Sequence, residues 1–233
     1  AHNLAVAMSQ ADDTRVVLVD GDQVHGDLRL HLEAPDTAPS LLQLPTGHVT
    51  ATDVSPIVWQ DATGLDVLLA PPRMEQADLI MLSDIRRAHH MLKQMYDLIV
   101  VDVPAVMDER TLAMLDDADV VLDVTTPRHG AVRKMQRCHA VLTAAGFPMD
   151  KILTVVNHAD PDYDPTEFAA ELGWRPDAVL MHDERLASGS IAGGSSIVTA
   201  YPDALFSRGF KDLAALTASR LPGRAAQPAE RAA

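Results

Sequence analysis

Arg15-Val16-Val17-Leu18-Val19-Asp20-Gly21-Asp22 is the stretch that decides the fold. A short β-branched apolar run closed by a carboxylate and a glycine has the pattern of a strand buried on both faces. Asp97-Leu98-Ile99-Val100-Val101-Asp102 repeats the pattern, again ending in Asp. Leu65–Leu69, Val120–Val124, Ile152–Asn157 and Asp177–Met181 read as further strands. Helical patterns separate them, over 75–96, 108–116, 128–145, 164–172 and 203–220. In the first of these, Leu79, Leu82, Ile85, Met91, Leu92 and Met95 fall mostly on one face. Residues 1–10 read as the remains of an amphipathic helix, and 21–63 as irregular apart from a short helix at 27–32. The alternation predicts an α/β fold, with a mostly parallel central sheet and helices on both faces. One domain is expected over 1–221 and a disordered tail over 222–233. Ligands of such sheets bind at the carboxyl ends of the strands.

Composition narrows the partners. Aromatic residues make up only 4% of the 233, so the core must come from Val, Leu, Ile, Met and Ala. The net charge of −14 argues against a duplex-DNA or anionic-membrane binder, which presents a basic face. Cys138 is the one cysteine, which excludes an intrachain disulfide and fits a reducing compartment. No apolar run is long enough to span a bilayer, and no signal peptide is visible. The expected setting is the cytoplasm.

Three strand ends carry candidate chemistry. Asp20 and Asp22 place two carboxylates at one strand end, a pattern shared by metal sites and by strand-ending turns. Gly26 follows, where a glycine lets backbone approach a ligand closely. Asp102, before Val103-Pro104, has the form of a Walker B carboxylate, which holds Mg²⁺ in P-loop NTPases. Asn157 offers a base both a donor and an acceptor, and is equally a turn residue. The histidines do not read as a metal site. His89 and His90 are helix neighbours that share no face, and His158 and His182 stand apart in sequence. Ser188–Ser196 is glycine-rich but lacks the Lys-Ser/Thr of a phosphate loop, and reads as a plain loop.

Taken together, these features resemble the ParA/MinD group of deviant-Walker P-loop ATPases, over nearly the whole chain. In that group the Gly-Lys-Thr-Thr of the phosphate loop opens a helix that runs on to Asn-Leu-Ala, matched by Asn3-Leu4-Ala5. Asp20, Asp22 and Gly26 match the next strand end, Leu98–Asp102 with Pro104 the Walker B strand, Thr125-Thr126-Pro127 a later strand end, and Asn157 the base-reading Asn. Gly64–Pro72, Tyr96–Pro104 and Asp108–Leu112 look most like the CpaE/TadZ branch, which helps place tight-adherence pilus machinery. Val106 stands where MinD-type chains carry Gly, and Met181 where the group often has Pro before the Asp matched by Asp183. The tail from Pro222 has no large apolar residue and cannot form MinD's membrane helix.

The resemblance implies ATP and Mg²⁺ as cofactors. It implies Asp20 and Asp102 near the metal, Asp22 orienting the attacking water, and Gly26, Asn157 and Asp183 binding the nucleotide. It also implies an ATP-dependent homodimer working with pilus or secretion-system proteins, without specific nucleic acid and without its own membrane anchor. The phosphate loop itself is not in this sequence, so the chain as it stands is expected to bind ATP weakly or not at all. It opens on Ala with a helical pattern under way, and the expectation is truncation rather than a relative that never had the loop and serves as a scaffold. A receiver-like signalling domain is disfavoured, because it needs a strand-end Lys that is missing here.

Overall fold

A computed structural model describes residues 1–10, 14–191 and 195–222. In chain order the elements are α1 (His2–Ser9), β1 (Val16–Asp20), α2 (Leu28–His31), α3 (Ala51–Val54), β2 (Trp59–Gln60) and β3 (Asp66–Leu68). Next come α4 (Leu82–Met95), β4 (Leu98–Asp102), α5 (Glu109–Asp117), β5 (Val121–Thr125), α6 (His129–Ala144) and β6 (Ile152–Ala159). The chain continues through α7 (Pro165–Leu172), β7 (Ala178–Met181), α8 (Glu184–Ile191), α9 (Ile197–Ala200) and α10 (Leu205–Arg220). The described residues form two compact units: Ala1–Met114 with Arg185–Pro202, and Leu115–Glu184 with 203–222.

The first unit is built on a four-stranded sheet in the order β2-β3-β1-β4. β1 runs parallel to both β3 and β4, and only the two-residue β2 is antiparallel. Val17 and Leu68 pack with Ile80, Ala88 and Leu92 beside α4. Leu41, Leu44, Val54 and Ile57 join this core from the stretch that read as irregular. Their order comes from short helical turns, in which residues three apart share a face. α1 is buried from Leu4 to Met8, and its Asn3 side chain accepts hydrogen bonds from Ser196 Oγ at 2.9 Å and the Ile197 amide at 3.0 Å, which caps α9.

Four expectations are corrected. The helix expected over 75–96 is a 3₁₀ stretch, Met74–Leu79, followed by α4. It breaks because Ile80 turns into the core, while Arg110 donates to the Ile80 carbonyl at 2.8 Å and Asp84 accepts from the Met81 amide at 2.8 Å. Leu79, expected on the apolar face, is therefore 70% exposed. β4 was expected to be buried, yet all five of its residues are only half-buried, because it ends the sheet order. The loop expected over 188–196 is instead the end of α8 and the cap of α9, with 192–194 outside the described residues. The tail from 223 on also lies outside them.

The second unit holds three parallel strands in the order β5-β6-β7. Val132, Met135, Val156, Phe168 and Leu172 form its core. Asp164 starts α7 by accepting from the Thr166 amide at 2.7 Å, and Gly173 ends it at φ +96°, a left-handed cap that glycine adopts without strain. The pairing of β6 with β7 passes from Val156↔Val179 to Ala159↔Met181, three steps on β6 against two on β7. This bulge falls at Asn157-His158.

Candidate functional site

Parallel pairing brings two carboxylates together in the first unit. The register of β1 against β4 ends on Asp20↔Asp102, so both leave the sheet at its carboxyl edge side by side. Asp20 is only 2% exposed, and its Oδ2 has no hydrogen-bond partner. Burial, then the nearby Asp102 charge, pushes its carboxyl up to about 7, although backbone amides of Asp22 and Leu28 oppose the rise. A carboxylate in that state gains from a cation, because the cation removes both the desolvation cost and the repulsion.

The loop that follows wraps Asp20 closely. The Gly21 amide donates to the Asp102 carbonyl at 2.8 Å, and Gln23 Nε2 donates to the Asp20 carbonyl at 2.5 Å. Gly26 lies against Asp20: a Cβ there would stand 2.4 Å from Asp20 Oδ2, 2.5 Å from the Asp22 carbonyl and 2.8 Å from Ala70 Cβ. Its close approach is thus to the carboxylate of the protein itself. Gly26→Ala should cost about 1–3 kcal/mol in urea unfolding, since backbone must shift to admit the methyl. A change within about 0.5 kcal/mol would show that the loop yields freely.

Asp22 is placed differently from Asp20. Its Oδ1 accepts from the Val24 amide at 3.1 Å and the His25 amide at 2.9 Å, which folds the loop back on itself. This is the turn geometry that the sequence left open, and it uses one carboxylate oxygen locally. Beneath Asp20, a cavity of about 30 Å³ is lined by Gln23, Leu68, His89, Leu92 and Met114. It admits about one water.

Sequence reasoning missed Arg29. It is buried and donates to the carbonyls of Pro35 (2.7 Å), Ala38 (3.2 Å) and Ala70 (3.1 Å), tying the loop to the exit of β3. Burial lowers its pKa, while the Asp36 and Asp20 charges hold it up. An arginine in an irregular polar stretch gives no signal in sequence.

Asn157 and Asp183 belong to the second unit. Asn157 sits in the β6 bulge, where its Oδ1 accepts from the His158 amide at 2.9 Å. Asp183 follows β7. The bulge also joins two histidines that sequence separates: His158 Nδ1 and His182 Nδ1 are 2.9 Å apart. The structure thus groups Asp20, Asp22, Gly26 and Asp102 in one unit, and places Asn157 and Asp183 at neighbouring strand ends of the other.

No protein-family model matches the chain, and no curated protein matches it. Solved structures do. A ParA family ATPase from Chlorobium tepidum superposes with a TM-score of 0.82 at 23% identity, covering 91% of this chain and 90% of that one. The septum site-determining protein MinD of Pyrococcus horikoshii, complexed with Mg-ADP, gives 0.73 at 22%, covering 91% and 86%. The MinC:MinD cell division complex of Aquifex aeolicus gives 0.72 at 18%, covering 98% and 91%. The chain has the α/β fold of the ParA/MinD P-loop ATPases.

Proposed function

We propose that this chain is the switch domain of a slowly hydrolysing ATPase of the ParA/MinD type, which positions or assembles a tight-adherence pilus or related secretion apparatus. The observation that carries the reading is the in-register pair Asp20↔Asp102 at the strand ends, with an orphaned, buried oxygen on Asp20. Carboxylate oxygens are hard donors suited to Mg²⁺. Asp20 and Asp102 would hold that ion, which supplies charge neutralisation for phosphoryl transfer. The Mg-ADP complex of the Pyrococcus MinD supports this choice of cofactors.

In this reading Asp22 orients the attacking water through the carboxylate oxygen not held by the loop amides. Gly26 keeps backbone tight against Asp20, and Asn157 and Asp183 bind the base. Nucleotide state sets homodimerisation, and so which protein partner is bound. The MinC:MinD complex among the structural neighbours supports a protein partner. The pilus assignment rests on the stretches Gly64–Pro72, Tyr96–Pro104 and Asp108–Leu112. A division or partitioning role is the second reading, favoured by the MinD and ParA neighbours.

The test uses the whole reading frame in which this chain is encoded. The expected result is Mg²⁺-dependent ATP binding with slow turnover. Asp22→Ala should abolish turnover while leaving the ATP dissociation constant within about threefold, because orienting water acts on the barrier and not on ground-state binding. Turnover retained in that variant, or ATP binding lost, sinks the role of Asp22. Deletion of the gene then separates the two biological readings: loss of surface pili supports the first, and misplaced septa or lost replicons the second.

A further inference from the structure

We infer that His158 and His182 form a two-imidazole site for a divalent nickel or copper ion. The β6 bulge puts an extra residue opposite β7, and His158 occupies it at φ +59°. A side chain other than glycine in this left-handed region is strained, and such strain persists only where surrounding structure imposes it. Here the strained residue delivers its ring to His182, with Nδ1 atoms 2.9 Å apart and ring centroids 4.9 Å apart.

That gap has a definite meaning for a metal. Metal–nitrogen bonds of about 2.0–2.1 Å closing a 2.9 Å separation subtend about 90°. A right angle is the cis angle of tetragonal and octahedral ions, whereas tetrahedral zinc needs a wider one. Imidazole nitrogen in tetragonal geometry selects Cu²⁺ or Ni²⁺. Without metal, one Nδ1 donates its hydrogen to the other. On binding, that ring moves its proton to Nε2, so both Nδ1 lone pairs reach the ion and the neutral pair releases no proton.

Charge favours a cation here. Asp160 and Asp183 flank the two histidines in sequence, and the chain carries a net −14. Among the described residues no set of three His, Cys, Asp or Glu converges. The described residues therefore supply two ligands, and water completes the shell. The inference is independent of the nucleotide reading, since it concerns binding of the metal alone.

The test is calorimetric titration of the purified chain with NiCl₂, and in parallel with ZnCl₂. The variants are His158→Asn, which tolerates the left-handed backbone, His182→Gln, and His90→Ala as a control outside the pair. One nickel equivalent is expected in the parent, bound more tightly than zinc. Each pair variant should lose it, with affinity down about 100-fold because one arm of a chelate is gone, and the control should keep it. Long-range ¹H–¹⁵N spectra of the parent check the same point without mutation, as both Nδ1 resonances should move on metal addition. Unchanged nickel binding in both variants, loss in one alone, or ligation through Nε2 overturns the site.

Discussion

Replacing Asp20 by asparagine is expected to make the protein more stable at pH 8 and to flatten its stability between pH 4 and 8. The buried Asp20 carboxyl titrates near 7, against about 3.8 for a free one. The folded state therefore holds the proton more tightly than the unfolded state does. Stability from this group is fully present below pH 4 and is lost as pH rises through 7. At about 1.36 kcal/mol per unit, the loss by pH 8 is on the order of 4 kcal/mol. The carboxamide of Asp20→Asn keeps the shape, carries no charge and has no such slope. Urea unfolding of both proteins at half-unit pH steps gives the difference directly, and the titrations common to both cancel. A difference independent of pH between 4.5 and 8.5 would refute the raised carboxyl. Adding Mg²⁺ at pH 8 should raise the melting temperature of the parent and not of Asp20→Asn, which tests the metal reading separately.

Arg29→Met should destabilise the first unit by roughly 2–4 kcal/mol, since two buried carbonyls, of Ala38 and Ala70, lose their donor. Met matches the length and apolar stem of Arg, so packing is largely kept. What is lost is the guanidinium that donates to the Pro35, Ala38 and Ala70 carbonyls. The Ala38 and Ala70 carbonyls are buried and, left without donors, each carry a desolvation penalty, whereas the Pro35 carbonyl can turn to water. Arg29→Lys should recover only part of the loss, because an ammonium cannot reach three divergent acceptors in the plane that a guanidinium spans. Chemical denaturation measures both variants. A loss below about 1 kcal/mol in Arg29→Met would mean that water replaces the guanidinium and that the loop does not depend on it.

The strands were legible because short β-branched apolar runs announce themselves by composition, and Val16–Asp20 and Leu98–Asp102 have no competing reading as helix. Asp20 and Asp102 were legible because each terminates such a run. Their register, Asp20 opposite Asp102, was not, since pairing is set by contacts far apart in sequence. The core residues within 21–63 were obscured because 3₁₀ turns need only three residues and leave no helical period. The break at Ile80 was hidden for a related reason: the donor that settles the freed carbonyl is Arg110, thirty positions away. The histidine pair escaped notice because a bulge, not a motif, creates it.

The position of β4 at the end of its sheet has a practical consequence. Within its own unit, and among the described residues, Leu98–Asp102 pairs only with β1, so the other row of its backbone N–H and C=O groups finds no strand there. Sheet proteins usually blunt such a border with a lysine, a proline or a bulge. Leu-Ile-Val-Val offers none of these before Asp102, and Pro104 comes after the strand has ended. Taken by itself, the first unit is thus a template for edge-to-edge aggregation. A fragment reduced to this unit, residues 1–114 joined to 185–202, should lose solubility with concentration more steeply than the acidic character of the chain suggests, and handling it calls for dilution rather than salt.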